Sequence, residues 1–407
     1  MKRIEIPQSF SKILKYLFLL YIMASLLYTA HQLLAFYRPT EILKIRDQHP
    51  FSTEGNSVNE MSEDLYMAKA FSSAMGPSKV IPYYMKARKI PDGEDITIAT
   101  QVTQDRFEVF SRLVTNYQGP ISVAIHVKND SSQQKLLDSI RDLYADNPFM
   151  VEFVDIHLVM DPFERQFNMW RNVARIYART DYTLMLDVDF HVCTDFRRAI
   201  RENSDIQRRL AMGEIALVLP AFEFVAQEDG LDSTTFPANK ESLIQLAHDG
   251  RIDMFHRRWQ KGHQPTNYSK WYNSREPYRV EAYQFNYEPY VIYKSRNAPW
   301  CDERFIGYGA NKAACLYELY LSGVEYWVLP EDFLIHQTHL YPESDRERER
   351  KYNRKLYEAF REELCIRYMN KFISSGQWEK PQASNLKQQC GKIKGFNRMA
   401  KQLLADN

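Results

Sequence analysis

A chain of 407 residues is long enough for one large catalytic domain or two modest ones, and its 44% hydrophobic share supports a sizeable core. Fifty-three basic side chains against 52 acidic ones leave a formal charge of +1, which excludes a global electrostatic pull toward nucleic acid. The 26 tyrosines and 23 phenylalanines suit an aromatic core, and equally suit rings that stack on other flat or apolar faces.

Residues 16–37 carry no Asp, Glu, Lys or Arg and are rich in Leu, Ile, Met and Phe. That length matches a helix across a bilayer core. Lys2, Arg3, Lys12 and Lys15 precede it against the single Glu5. Basic flanks favour the cytoplasmic side, so the expectation is a cytoplasmic tail over 1–15 and a type II transmembrane anchor over 16–37, with the remainder lumenal. A clean small-x-small site for a cleaved signal is missing. Residues 38–94 are polar with scattered Pro and Gly, which reads as a stem containing some helix near 59–74.

From Asp95 a regular alternation begins. Residues 96–102 are β-rich, and 104–116 have helical periodicity with Phe107, Phe110, Leu113 and Val114 on one side. Gly119-Pro120 breaks that helix, and a strand is expected over 121–127. A helix over 131–146, a strand over 151–159, a helix over 167–179 and a strand over 182–186 follow. The alternation predicts an α/β fold with a mostly parallel, helix-covered sheet, in which ligands sit outside the carboxyl ends of the strands. Beyond it come a helix over 195–210, a strand over 215–220 and a polar, irregular stretch over 226–280. Strands near 288–294 and 326–329 flank a helix over 308–323, and a charged helix spans 346–367. The domain expectation is a catalytic unit over 95–340 with a helical extension over 341–407.

The five cysteines, Cys193, Cys301, Cys315, Cys365 and Cys390, show no zinc-site spacing. They allow one or two disulfides in an oxidising lumen and leave at least one thiol over. Asn129-Asp130-Ser131 and Asn267-Tyr268-Ser269 are glycosylation triplets.

The chemistry concentrates at Asp187-Val188-Asp189, where the apolar run Thr183-Leu184-Met185-Leu186 meets two carboxylates. At a strand end both can reach one hard cation that also holds phosphate oxygens. The alternative is a pair of capping aspartates. Phe333-Leu334-Ile335-His336 ends in an imidazole able to complete a metal shell, or one that simply packs. In Trp300-Cys301-Asp302-Glu303-Arg304-Phe305 the acids could deprotonate a hydroxyl, or form a salt-bridged turn with Arg304.

Other stretches fall in a characteristic order. They include Val102-Thr103-Gln104-Asp105-Arg106, Asn168-Met169-Trp170-Arg171-Asn172, Leu219-Pro220-Ala221-Phe222-Glu223, Pro265-Thr266-Asn267-Tyr268-Ser269, Glu288-Pro289-Tyr290 and Gly307-Tyr308-Gly309 followed by Asn311-Lys312. With the Asp187 motif and His336, this order over about residues 95–340 resembles glycosyltransferase family 49. The resemblance implies a GT-A (nucleotide-diphospho-sugar transferase, Rossmann-like) fold and inverting transfer from a UDP-sugar to a glycan or glycoprotein acceptor in the Golgi or ER, with Mn²⁺ or Mg²⁺. It implies Asp187, Asp189 and His336 as metal ligands, with Asp187 also near the ribose. Arg171 and Asn172 would line the nucleotide-sugar, and Thr100 and Gln101 would border the uridine. Asp302 or Glu303 would be the base, with Asp302 slightly favoured. Glucuronate is the expected donor sugar, with UDP-GlcNAc, UDP-xylose and UDP-galactose as alternatives. A uronate carboxylate would need a cation, for which Arg171, Lys240, Lys270 and Lys312 are candidates. The competing readings are a catalytically silent lumenal glycan-binding or scaffold protein, and a phosphohydrolase using the same carboxylates.

Overall fold

The computed structural model describes residues 20–29, 78–339 and 346–406. Residues 20–29 form a helix. Among the described residues no helix is long and apolar enough to cross a membrane. The rest of the expected 16–37 span, and stem residues 38–77, lie outside the described residues.

The sheet grows in the order the alternation suggests. β1 (Lys79–Met85) and β2 (Ile96–Val102) precede α1 (Phe107–Tyr117), whose Phe110, Leu113, Val114 and Tyr117 are buried. Gln118 ends α1 in the left-handed region, and Gly119-Pro120 then turn the chain into β3 (Ile121–Lys128). α2 (Gln133–Asp146) is followed by an unexpected short helix, α3 (Pro148–Phe153). The Asn147 side chain accepts the Phe149 N–H and Pro148 sits at the first turn, so the strand expected from 151 begins only at β4 (Val154–Asp161). α4 (Phe167–Ile176) and β5 (Tyr182–Met185) complete this half.

β4, β3, β2 and β5 pair in parallel. The full nine-stranded sheet is mixed, in the order β1-β4-β3-β2-β5-β11-β7-β12-β10. β1, within the segment read as stem, is its edge strand, antiparallel to β4. The second half supplies β6 (Phe190–Val192), α5 (Phe196–Glu202), α6 (Ser204–Ala211), β7 (Ile215–Leu219), β8 (Ala221–Phe224), α7 (Lys240–His248), β9 (Ile252–Met254), α8 (Tyr268–Asn273), β10 (Tyr278–Arg279) and β11 (Tyr290–Lys294). The single helix expected over 195–210 is two, because Asn203 leaves helical geometry and caps α6 through the Ile206 N–H. β11 runs antiparallel to both β5 and β7. The 226–280 region, expected to be irregular, holds α7, β9, α8 and β10, and β11 enters the sheet after β10 without a single helical crossover from β7, so nothing forces it to run parallel.

The remaining elements are α9 (Asn311–Leu321), β12 (Glu325–Val328), β13 (Leu334–His336), α10 (Arg346–Ser374), α11 (Ser384–Cys390) and α12 (Phe396–Asp406). Every residue of α9 is buried. Tyr357, Phe360, Leu364, Met369 and Phe372 of α10 share its hydrophobic core. Burying five such side chains stabilises the domain by roughly 7–15 kcal/mol before entropy is counted. A separate four-stranded sheet, β6-β13-β8-β9, lies beyond the end of β5.

Candidate active site

β5 stops at Met185, and Leu186 and Val188 stay buried while Asp187 and Asp189 turn outward between them. The Phe190 N–H reaches the Asp187 carbonyl at 3.3 Å and closes the turn into β6. β6 pairs with β13 so that His336 lies opposite Phe190, and the Gln337 N–H donates to the Asp189 carbonyl at 2.8 Å. This register carries residues about 150 positions away in the chain to the Asp189 side chain. His336 Nε2 lies 3.5 Å and His339 Nε2 2.8 Å from Asp189 Oδ2. One ligand-type atom from each of the three residues falls within 4.8 Å of the others. Burial alone would raise the Asp189 carboxyl, but hydrogen bonds from His336 and His339 hold it well below the usual range. His339 was not read from the sequence. The signal was available as His336-Gln337-Thr338-His339, two imidazoles just past an apolar run. Its Nδ1 lies 3.0 Å from an Arg106 guanidinium nitrogen, which orients the ring.

Asp187, expected as a ligand beside Asp189, is engaged otherwise. Its Oδ2 accepts from Lys312 Nζ at 3.0 Å and from the Tyr290 hydroxyl at 2.9 Å, and its Oδ1 accepts from Arg171 at 3.3 Å. It stands outside the Asp189–His336–His339 group. Burial would raise its pKa, and Lys312 with Arg171 outweigh burial and lower it. Lys312 sits at the start of α9, its ammonium 3.9 Å from the Tyr290 ring centroid. Arg171 is buried in α4, where its guanidinium also donates to Asn168 and Asn311.

The same helix holds the acidic loop. Asn168 donates to the Asp302 carbonyl at 2.8 Å. Asn172 donates to the Cys301 carbonyl and to Glu303 Oε1, and accepts the Cys301 N–H. Asn172 is therefore a brace for this loop, with both amide hydrogens spent inside the protein. A disulfide between Cys301 and Cys315 ties the loop to α9, a second joins Cys365 and Cys390, and Cys193 is free. Asp302 faces Arg304, which donates to both carboxylate oxygens and also reaches Glu363. Glu303 is solvent-exposed, with Oε1 oriented by Asn172.

Thr100 is fully buried in β2 and its hydroxyl makes no hydrogen bond within the protein, while Gln101 is half-buried. Of the four basic residues considered for a carboxylate, Arg171 and Lys312 meet at Asp187. Lys240 is spent on the Ser274 and Pro330 carbonyls, and Lys270 lies over Tyr278.

Residues 95–166 and 163–369 match the family described as the glycosyl-transferase for dystroglycan, glycosyltransferase family 49. The chain belongs to this family. Two of its similar relatives are the human xylosyl- and glucuronyltransferase LARGE1, 34% identical over 253 residues, and zebrafish LARGE2s, 34% identical over 263. The human match takes in 61% of this chain and 32% of the relative, the zebrafish match 63% and 33%. Zebrafish LARGE1 is 32% identical over 305 residues, 71% of this chain and 38% of the relative. The chain spans about a third of the length of these relatives. Among solved structures, GalNAc-T7 with UDP, GalNAc and Mn²⁺ aligns at a TM-score of 0.39 and 12% identity, covering 75% of this chain and 55% of the other.

Proposed function

We propose that this chain is an inverting, metal-dependent GT-A glycosyltransferase that moves a sugar, best read as glucuronate, from a UDP-sugar to a glycan acceptor. The observation that carries this reading is the Asp189–His336–His339 cluster beside an aspartate gripped by two cations. One carboxylate and two imidazoles are a mixed oxygen and nitrogen donor set. Such a set suits Mn²⁺ better than Mg²⁺, which prefers an all-oxygen octahedron. Asp189, His336 and His339 would hold the ion, and when bound it would offset the charge of the departing diphosphate.

The chain's own residues perform the rest. Arg171 and Lys312 already recognise one anion, Asp187, and offer the same donors to a phosphate or to a uronate carboxylate. Glu303 is the proposed base, since its carboxylate is exposed and pre-oriented whereas Asp302 is committed to Arg304. In one displacement the acceptor oxygen bonds to the sugar's anomeric carbon. The bond from that carbon to the diphosphate oxygen breaks, UDP leaves with the electron pair, and the hydroxyl proton passes to Glu303. Cys301–Cys315 and α4 keep the loop in place without moving parts.

The location also belongs to this proposal. Two disulfides fit an oxidising lumen, which agrees with an anchor over residues 16–37, a lumenal unit and a Golgi or ER site. The test is a donor screen. Full-length protein in detergent with Mn²⁺ is offered UDP-sugars and release of UDP is measured, with Asp189→Ala as control. Preference for UDP-GlcNAc, UDP-xylose or UDP-galactose would overturn the glucuronate assignment. No UDP release from any donor, or equal release by Asp189→Ala, would overturn the transferase mechanism.

A further inference from the structure

The segment 256–263 leaves and re-enters the protein beside the candidate active site. At its start, His256 lies within electrostatic reach of Lys312, His336, Asp189 and Asp187. At its end, buried His263 is within reach of Lys312 and Asp187. The two rings are 6.4 Å apart, and Phe255, stacked on His256 at 3.9 Å, lies 4.8 Å from His336. The six residues between them therefore start and finish beside the site.

Their conformation is held on purpose. His256 adopts φ +55°, a left-handed geometry that a histidine enters at a cost. The Glu223 carboxylate on β8 accepts the backbone N–H groups of His256 and Arg257, which fixes that turn. At the other end the Glu288 N–H donates to the Gly262 carbonyl at 2.8 Å. Trp259 projects from the middle and is 52% exposed, a large share for an indole held in an ordered loop. One edge rests on Gly262: a Cβ there would lie 3.0 Å from Trp259 Cδ1, so a larger residue would push the ring. Around it Arg257, Arg258 and Lys261 are exposed. Arg257 pairs with Asp253, while among the described residues Arg258 and Lys261 have no ion-pair partner.

We propose that the 256–263 loop is the acceptor subsite, with the Trp259 indole as the stacking platform and Arg258 and Lys261 selecting a saccharide that carries a negative charge. It rests on the transferase reading above, because an acceptor subsite has meaning only beside a donor site. An exposed ring flanked by unpaired cations matches the two faces of a uronic sugar, apolar C–H on one side and carboxylate at the edge. Residues 257–262 form a short 3-10 turn that is broken at Trp259, where φ is -116° and ψ 63°, so the indole sits at the kink of an otherwise ordered segment.

The experiment measures binding directly, without donor. Full-length protein is titrated by calorimetry with a disaccharide ending in glucuronate, and with the matched disaccharide ending in glucose. The expected result is tighter binding of the uronate probe, with affinity falling roughly 3- to 10-fold in Trp259→Ala and being largely retained in Trp259→Phe. Arg258→Glu should erase the preference between the two probes. Melting temperature and UDP binding with Mn²⁺ check that each variant is folded. Unchanged binding in Trp259→Ala, or no binding of either probe to the wild type, overturns the subsite. Equal binding of the two probes overturns the anionic assignment. A failed donor screen with intact, Trp259-dependent probe binding would overturn the transferase reading, and with it the acceptor role, while leaving an anionic-saccharide site at Trp259.

Discussion

Replacing Lys312 by methionine keeps a long unbranched stem over the Tyr290 ring and removes only the ammonium. The side chain is 8% exposed and its partner Asp187 30% exposed, so the pair is largely shielded from water. Breaking a buried pair by deleting one partner costs about 3–5 kcal/mol. Here Asp187 keeps Arg171 at 3.3 Å and the Tyr290 hydroxyl at 2.9 Å, so the loss should be smaller, roughly 1–3 kcal/mol. For a domain of this size that corresponds to a drop of about 1.5–4.5 °C in melting temperature. The assay is differential scanning calorimetry of Lys312→Met, Asp187→Asn and the double variant. The double variant should be more stable than the sum of the single losses predicts, because it no longer strands a carboxylate beside an absent cation. A melting temperature within about 1 °C of wild type for Lys312→Met would refute the clamp, since roughly 1 kcal/mol alone should move it further. So would strict additivity in the double variant.

Three other outcomes follow from the same geometry. Asn172→Ala leaves the Cys301 N–H and carbonyl without their partner and removes the amide bond that orients Glu303 Oε1. Donor affinity should hold, while kcat in single-turnover transfer should fall by roughly 100-fold. Removing the Cys365–Cys390 bridge opens a separation of 25 residues between α10 and α11 and should cost about 3 kcal/mol, read as a lower melting temperature in Cys365→Ser/Cys390→Ser than in the wild type without reductant. His157 is buried, accepts the Tyr83 N–H at Nδ1 and pairs with Ser122 through Nε2. Burial first, and Arg179 second, hold it down to about 3. Only the unfolded chain, with a histidine near 6.5, takes up a proton between those values. Its contribution is therefore whole above about pH 6.5 and is lost as pH falls, by about 1.4 kcal/mol per pH unit. Guanidinium midpoints at about pH 6.5 and about pH 4.5 should differ less in His157→Asn than in wild type.

Much of the scaffold is visible in local pattern. The runs at 96–102, 121–127 and 182–186 are apolar enough to be buried strands, and all three form the parallel heart of the sheet. The pattern is silent on partners at long range. β11 has the composition of a buried strand, but its direction depends on how the irregular 226–280 region folds. β1 pairs along the sheet edge and lacks the apolar run that announces a central strand. Capping chemistry at Asn147 and Asn203 decided two boundaries that hydrophobic period alone misplaced.

At the site, Asp187 and Asp189 are legible because two carboxylates end an apolar strand. Their different partners are not, since Lys312 lies 125 residues and Tyr290 103 residues from Asp187. His336 was reached through resemblance, while His339 sits past the strand end, where no periodicity marks it. Asn172 is placed beside the nucleotide-sugar by the family resemblance, not by any local pattern. Its amide instead satisfies backbone groups 129 residues away, a contact only the packed fold supplies.

If Asp189, His336 and His339 form the cation site, Mn²⁺ binding should depend on all three. Electron paramagnetic resonance titration of free Mn²⁺ should show one site per chain in wild type, and a loss of roughly 10-fold or more in affinity for His339→Ala. Asp187→Asn, whose carboxylate faces Lys312 and Arg171, should weaken the ion less. Unchanged Mn²⁺ affinity in His339→Ala together with abolished binding in Asp187→Asn would contradict the account.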